Sequence, residues 1–206
     1  MAFKLTRIES LFPTPLVILS LDDHRAIAVP LLEEIAARRA GEPAVERSNV
    51  GGWHSAPDFF RRSEPGHRRL AAELAKAVLG ATRKLVPKAD RTTLALAMDG
   101  WINVNPAGAY NAPHSHPGAF WSGVYYVQVP GAEEAGGALD LLNPRGSSAD
   151  WLLLPSAMTG DRFSVQPAAG MLLLFPGHVQ HWVHPHRGAG ERISIAFNAT
   201  FSRRAA

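Results

Sequence analysis

The stretch GMLLLFPGHVQHWVHPHRGAGERISIAFN, residues 170 to 198, decides the fold class. It opens with an apolar run that ends at Pro176-Gly177, continues through a histidine-rich segment, and closes on an alternating run from Arg192 to Asn198. Short apolar runs bounded by Pro and Gly are typical of strands, and a tight Pro-Gly turn predicts that the next strand returns antiparallel to the first. The stretch therefore indicates antiparallel β-structure.

Strand-like segments continue upstream as far as Thr92. They recur at about residues 93–104, 120–129, 138–142, 161–166, 170–175, 179–184 and 192–201, and most are separated by turns rich in Gly, Pro and Asn. Seven or more short strands at this spacing predict a sandwich or a barrel.

The N-terminal half has a helical period instead. After a short strand at Leu11 to Leu19, helices are predicted at residues 22–39 and 66–86, with a turn-rich loop at 48–60 between them. Pro30 predicts a kink or a helix start near it. Helices followed by strands predict an α+β, mainly β fold of one domain, residues 1–206, in which segment 1–91 braces a β core at 92–202.

Composition narrows the classes of function. The chain has 206 residues, 46% of them hydrophobic and 19% charged, with a net charge of +3 and no cysteine. Disulfides, thiolate metal sites and a cysteine nucleophile are therefore excluded, and a nucleic-acid partner is not expected from so small a charge excess. No apolar run has the length of a signal peptide or a membrane span, so we expect a cytoplasmic protein with no membrane partner. The oligomeric state is left open.

Six of the nine histidines fall in two short segments, which hold His114 and His116 in the first and His178, His181, His184 and His186 in the second. On a strand, positions i and i+2 share a face, so His114 and His116 are able to bind one ion, with a third ligand from another strand. His181 and His184 would point to opposite faces, so only one of them is expected to be a ligand. The alternative is that both segments are polar loops.

Arg192 shares a face with Ser194, Ala196 and Asn198 in the last alternating run. If that face lines a pocket, the guanidinium requires an anion, because an unpaired buried cation is very costly. The alternative is a surface salt bridge.

The ordered set of motifs resembles the Fe(II)/2-oxoglutarate dioxygenases, most closely a bacterial branch related to prolyl hydroxylases. The set comprises HSH at 114–116, SGVYYV at 122–127, GMLLLFP at 170–176, HWVHP at 181–185 and ERISIAFN at 191–198, and the resemblance covers roughly residues 99 to 200. It implies a double-stranded β-helix, or jelly roll, and an oxidoreductase that uses Fe(II) and 2-oxoglutarate to hydroxylate a small molecule or a protein side chain.

The resemblance also implies residue roles. It assigns the metal to His114, His116 and His181, and the distant carboxylate of 2-oxoglutarate to Arg192 and Ser194, with Tyr126 as a further contact. His116 stands where the family has a carboxylate, so the site would hold three neutral imidazoles, which is also the ligand set of a catalytic zinc. Apart from the metal centre, no catalytic side chain is predicted.

Two alternatives to this function remain. A cupin-like metalloenzyme without a keto acid would share the barrel, although the glutamate of the first cupin motif is missing after His116. A non-catalytic metal-binding barrel would also fit the altered metal triad. Candidate substrate contacts are the aromatic residues near the two motifs and in the turn-rich loop, namely Trp53, His54, Trp121 and Trp182. For each of them the alternative is a position in the core.

Overall fold

The computed structural model describes residues 3–87, 93–131, 136–145 and 160–204. Its two α-helices are α1 (His24–Gly41) and α2 (Pro65–Leu85), and a 3-10 helix spans Phe59–Arg61. The strands are β1 (Val17–Ser20), β2 (Asn49–Val50), β3 (Trp53–His54), β4 (Leu94–Asn105), β5 (Tyr110–His114), β6 (Trp121–Gln128), β7 (Leu139–Leu142), β8 (Arg162–Val165), β9 (Met171–Pro176), β10 (His181–Val183) and β11 (Arg192–Arg203). None of these helices is long and apolar enough to span a membrane.

The strands form two antiparallel sheets that face each other. Sheet A has the order β1-β9-β6-β11-β4-β3, and sheet B has the order β2-β5-β10-β7-β8. The described strands do not close into one hydrogen-bonded barrel. The mainly β jelly roll expected from the sequence is confirmed, with the two sheets packed as a sandwich.

The helices cover the outer face of sheet A. Helix α2 buries Leu70, Leu74, Val78 and Ala81, which recur at helical spacing and form one stripe. This stripe belongs to the same core cluster as Ile102, Val104, Ile193, Ile195 and Phe197 on β4 and β11. Because sheet A is covered by helices outside and by sheet B inside, its central strands are buried on both faces.

Pro30 does not begin the first helix, which starts earlier, at His24, and contains the proline in its second turn. A proline has no N–H to donate to the carbonyl four residues before it, here that of Ala26. Arg69 Nη1 of helix α2 donates to the Ala26 carbonyl at 3.1 Å instead. A contact between helices thus satisfies the group that the proline leaves free.

The segment predicted as a loop at 48–60 contains two short strands as well as the 3-10 helix. Strand β2 pairs with β5 of sheet B, and β3 pairs with β4 of sheet A. The two strands therefore cover one edge of each sheet. Gly51 between them has a φ of 72°, a conformation that favours glycine.

The Pro176-Gly177 turn joins the two sheets, which differs from the expected return of the chain beside the same strand. Strand β9 pairs with β1 and β6 in sheet A, whereas β10 pairs with β5 and β7 in sheet B. Both sides of β9 are already occupied, so the chain after the turn must cross to the other sheet.

Candidate metal centre

Three histidines converge between the sheets. His181 on β10 lies directly opposite His114, the last residue of β5, and their ring centroids are 4.3 Å apart. The ring of His116 lies 5.0 Å from that of His114 and 5.3 Å from that of His181. One ring nitrogen from each of the three lies within 4.8 Å of the others, a spacing suited to a single metal ion.

Backbone carbonyls orient two of the rings. The Nδ1 atom of His114 is 2.7 Å from the carbonyl of Ala112, and that of His181 is 3.0 Å from the carbonyl of Val179. A ring that donates its Nδ1–H in this way keeps Nε2 as a lone-pair donor, the tautomer that metal-binding histidines need.

The three imidazoles are neutral at physiological pH. Burial, together with the charge of His114, lowers the pKa of His116 to about 4. Burial is also the main cause that lowers the pKa of His181 to about 3, and it lowers that of His114. Neutral rings have the free lone pair that coordination requires, so no proton must be removed before a metal binds.

His116 lies beyond the end of β5. The prediction that both histidines of the HxH pair lie on one strand is therefore wrong for His116. The Pro-Gly turn holds it, because the His116 N–H donates to the Gly177 carbonyl at 2.8 Å. A Cβ on Gly177 would stand 2.7 Å from the His116 carbonyl oxygen, so this approach is possible only for glycine. The turn after β9 thereby positions a residue of the other histidine motif.

Arg192 is buried in the same cleft. Its side chain is only 1% exposed and lies over the ring of Tyr126, 4.9 Å from the centroid. Nη1 donates to Ser194 Oγ at 3.5 Å, while Nε and the Tyr126 hydroxyl have no hydrogen-bond partner among the described residues. No carboxylate in the described ranges forms an ion pair with Arg192, and burial lowers the pKa of the guanidinium. The site therefore calls for an anion with hydrogen-bond acceptors.

The cleft holds both groups together. It has a cavity volume of about 40 Å³. Its lining includes Trp101, Asn103, Ser122, Val124, Tyr126, Phe175, Arg192, Ser194 and Ala196 from sheet A, and Asn111, His114, Leu139, His181 and Val183 from sheet B, together with His116. No Asp or Glu belongs to this lining in the part of the chain that the structure describes.

His184 points away from the cleft, as strand alternation predicted for a residue three positions after His181. Its Nε2 is 2.9 Å from Asp140 Oδ2, and Asp140 also accepts from Ser164 Oγ and from Trp182 Nε1 at 3.3 Å. Burial raises the pKa of Asp140, but the hydrogen bonds from Ser164 and His184 outweigh it, so the pKa lies below its usual value. This network ties β10 to β7 and β8 outside the metal site.

The four aromatic residues predicted to contact substrate are placed differently from one another. Trp53 and Trp121 belong to the core between sheet A and the helices, where Trp121 Nε1 donates to Thr82 Oγ1 at 2.9 Å. Trp182 lies on the outer side of sheet B with Asp140. None of these three indoles lines the cleft, because strand alternation turns each to the opposite face. His54 is buried beside the cleft and stacks on Trp101, with ring centroids 5.5 Å apart.

Trp101 and Asn103 were not identified from the sequence. Both lie on β4 and face the cleft, and the ring of Trp101 is 5.5 Å from that of His116. The sequence does show that Trp101, Asn103 and Asn105 alternate with Ile102 and Val104. This alternation matches no functional motif, so it did not point to the cleft.

The part of the chain that holds the three histidines matches one known protein family. Residues 99–198 match the model of the family described as "Putative 2OG-Fe(II) oxygenase". The match confirms the resemblance to Fe(II)/2-oxoglutarate dioxygenases, and it indicates an oxidoreductase whose cofactors are Fe(II) and 2-oxoglutarate. No curated protein sequence matches the chain significantly.

Solved structures share the fold. A prolyl-4-hydroxylase from Pseudomonas putida is 20% identical, with a TM-score of 0.63 over 92% of this chain and 93% of that one. A prolyl hydroxylase from Trichoplax adhaerens, in complex with a hypoxia inducible factor peptide fragment, is 12% identical, with a TM-score of 0.63 over 90% and 83%. HygX from Streptomyces hygroscopicus, with nickel, 2-oxoglutarate and hygromycin B bound, is 14% identical, with a TM-score of 0.60 over 91% and 83%.

Proposed function

We propose that the protein is an Fe(II)- and 2-oxoglutarate-dependent oxygenase that hydroxylates its substrate at a three-histidine centre, His114, His116 and His181. The observation that carries the proposal is the meeting of three neutral imidazoles and an unpaired, buried guanidinium in one cleft. The imidazoles match the needs of a divalent transition metal, and the guanidinium matches those of a dicarboxylate.

The residues fit a bound metal. Nε2 of His114 and His181 is free, since Nδ1 of each is engaged by a carbonyl. Three neutral ligands leave the ion with its full charge, and the third imidazole in place of a carboxylate favours tight pairing with an anionic co-ligand. His114, His116 and His181 would hold the ion, which would supply the activation of dioxygen.

The residues also fit 2-oxoglutarate. Arg192 would hold the C5 carboxylate with its planar fork, and Ser194 Oγ and the unpartnered hydroxyl of Tyr126 would donate to the same group. With dioxygen as the oxidant, the metal and the keto acid would together supply the chemistry that converts a C–H bond to C–OH, in which one oxygen atom enters the substrate and the other enters the succinate formed with loss of CO2. The protein's own residues orient the keto acid and keep water out of the cleft.

Neither alternative function has an observation of this kind in its favour. A cupin-like enzyme without a keto acid leaves the buried charge of Arg192 without a purpose, at a considerable cost in folding free energy. A binding barrel that has lost activity would be free to lose this cation by mutation.

The proposal is tested by adding Fe(II) and 2-oxoglutarate under nitrogen and recording the visible spectrum. We expect a charge-transfer band that needs both additions and disappears when succinate replaces 2-oxoglutarate. Zinc retained in place of iron, with no band at saturating 2-oxoglutarate, would support a keto-acid-independent metalloprotein instead.

Gly137 gives a first prediction about keto acid binding. Its φ is 70°, and a Cβ there would stand 3.0 Å from Arg192 Cδ and 3.3 Å from Nε. We expect Gly137→Ala to displace the guanidinium and to weaken 2-oxoglutarate binding by about tenfold, roughly the loss of one charge-assisted hydrogen bond, while metal binding is retained. The measurement is titration of the anaerobic chelate band.

Gly108→Ala is the matched control, because Gly108 has a similar φ of 85° and a Cβ there would meet nothing within 4 Å. Both variants should lose a comparable stability of roughly 1 kcal/mol from the left-handed backbone. Equal 2-oxoglutarate affinities in the two variants would show that Gly137 does not position Arg192.

A further inference from the structure

The inner face of sheet A is organised in four transverse rows, because β4, β11 and β6 lie side by side in register. From the closed end of the cleft to its mouth, the rows are Asn105 with Arg192; Asn103, Ser194 and Tyr126; Trp101, Ala196 and Val124; and Asp99, Asn198 and Ser122. The first two rows hold the residues proposed to bind the keto acid. The last two, called the outer rows below, are left for the substrate.

The third row has an aromatic wall. Trp101 stacks on His54 at an interplanar angle of 15°, and its ring lies 5.5 Å from the ring of His116 on another side. His54 is itself fixed, since it is 4% exposed and its Nδ1 is 2.7 Å from the Ser55 carbonyl. The indole is therefore held beside the metal ligands, with Ala196 as a small neighbour that leaves space over the sheet.

The fourth row offers two hydrogen-bond acceptors, the Asp99 carboxylate and the Asn198 Oδ1 atom. The Oδ1 atom of Asn198 is buried and has no hydrogen-bond partner in the described ranges. Asp99, its cross-strand neighbour, is exposed, and alternation from Trp101 places it on the cleft side. Asp99 forms no ion pair or hydrogen bond with any residue that the structure describes. A carboxylate and a desolvated amide oxygen thus lie side by side at the mouth of a cleft whose own lining has no acid.

We propose that the outer rows bind a cationic amine of the substrate, an inference that rests on the proposed function for the position of the metal. Asp99 pairs with the charge, Asn198 Oδ1 accepts one N–H, and the Trp101 indole contacts the cation or the methylene next to it. The amine at the mouth would leave the adjoining carbon chain extended toward the histidines. The substrate class is therefore a primary amine, either a small molecule or a lysyl side chain.

Arg47 is the cation to be weighed against this proposal. Its charge contributes to the lowered pKa of His54, after the larger effect of burial and against the hydrogen bond to Ser55. Arg47 acts on His54, the residue that stacks on Trp101, but it forms no ion pair with Asp99 or with another acid among the described residues. The carboxylate of Asp99 therefore remains available to a cation of the substrate.

The test uses the full chain loaded with nickel(II) and 2-oxoglutarate, so that binding is measured without turnover. Hexylammonium, hexanol and hexanoate are titrated by calorimetry, because they share a chain and differ in the charge at one end. We expect hexylammonium to bind at least about tenfold more tightly than hexanol, and hexanoate to bind least well. An N-acetyl-Gly-Lys-Gly amide peptide, compared with hexylammonium, distinguishes a lysyl side chain from a free amine.

Asp99→Asn should remove most of the preference for the cation, while Asp22→Asn, an exposed aspartate before helix α1, should leave it unchanged. Equal binding of the three probes, or an unchanged preference in Asp99→Asn, overturns the proposal. Failure of the unmodified protein to bind nickel and 2-oxoglutarate is a different outcome, which contradicts the proposed function and removes this proposal with it.

Discussion

Replacement of His181 by alanine is expected to lower the affinity for Fe(II) by at least about 100-fold and to abolish the chelate band. In the proposed centre His181 would be the ligand from β10, opposite His114, and it is the most deeply buried of the three histidines. With two imidazoles left, water would have to replace the lost ligand, and it binds the ion more weakly than a fixed imidazole does. Metal analysis of the purified variant and anaerobic titration with Fe(II) provide the measurement.

His178→Ala is the matched control, since His178 is exposed and lies three residues away in the same histidine-rich segment. It should bind iron like the unmodified protein. Removal of a buried ring also costs packing energy, so circular dichroism must show that His181→Ala remains folded. One equivalent of iron in folded His181→Ala, with the band intact, would mean that the metal lies elsewhere.

The β-core was predictable because each strand has one face in a core and so carries a period of two. The alternation in the last run placed Arg192, Ser194 and Ala196 on one face, and the structure shows all three in the cleft. The buried stripe of α2 was predictable for a similar reason. The helix packs against one surface, so its buried residues recur with the helical period.

Pairing between sheets was not predictable from local sequence. The Pro176-Gly177 turn would reverse the chain whether β10 paired with β9 or joined the other sheet. Strand β10 lies in the other sheet because both edges of β9 are occupied. His116 is held by the backbone of that same turn, a contact across 61 positions that no local period encodes. The two histidine motifs were recognised in the sequence through their resemblance to a family. The position of His116, in contrast, depends on tertiary structure.

The tryptophans show the limit of reasoning from proximity in sequence. Trp121 and Trp182 are next to cleft residues along the chain, and for that reason alternation turns them away from the cleft. Trp101 was overlooked because it stands thirteen positions before His114, but cross-strand pairing with Ala196 brings it to the site.

Arg192→Met is expected to stabilise the protein without ligands and, at the same time, to abolish keto acid binding. A buried guanidinium without a carboxylate costs free energy that a methionine of similar length does not, so the variant should gain roughly 1–4 kcal/mol and unfold about 2–4 °C higher per kcal/mol gained. Loss of the fork should weaken 2-oxoglutarate binding at least about 100-fold, with Fe(II) still bound. Thermal unfolding with and without 2-oxoglutarate measures both effects.

The opposite sign is expected at Arg38, which is the matched control. Arg38 is also buried, but it pairs with Glu42 at 2.8 Å and with Asp58 at 2.6 Å. Arg38→Met removes the buried partner of both carboxylates, which keep only their longer contacts with Arg62 at 3.3 Å and 3.7 Å. The variant should therefore be destabilised by roughly 1–3 kcal/mol, with 2-oxoglutarate binding retained in the folded fraction. Only a residue kept for an absent anion is expected to lower the stability of the free protein. If Arg192→Met were as destabilising as Arg38→Met and still bound the keto acid, Arg192 would therefore be a structural cation like Arg38.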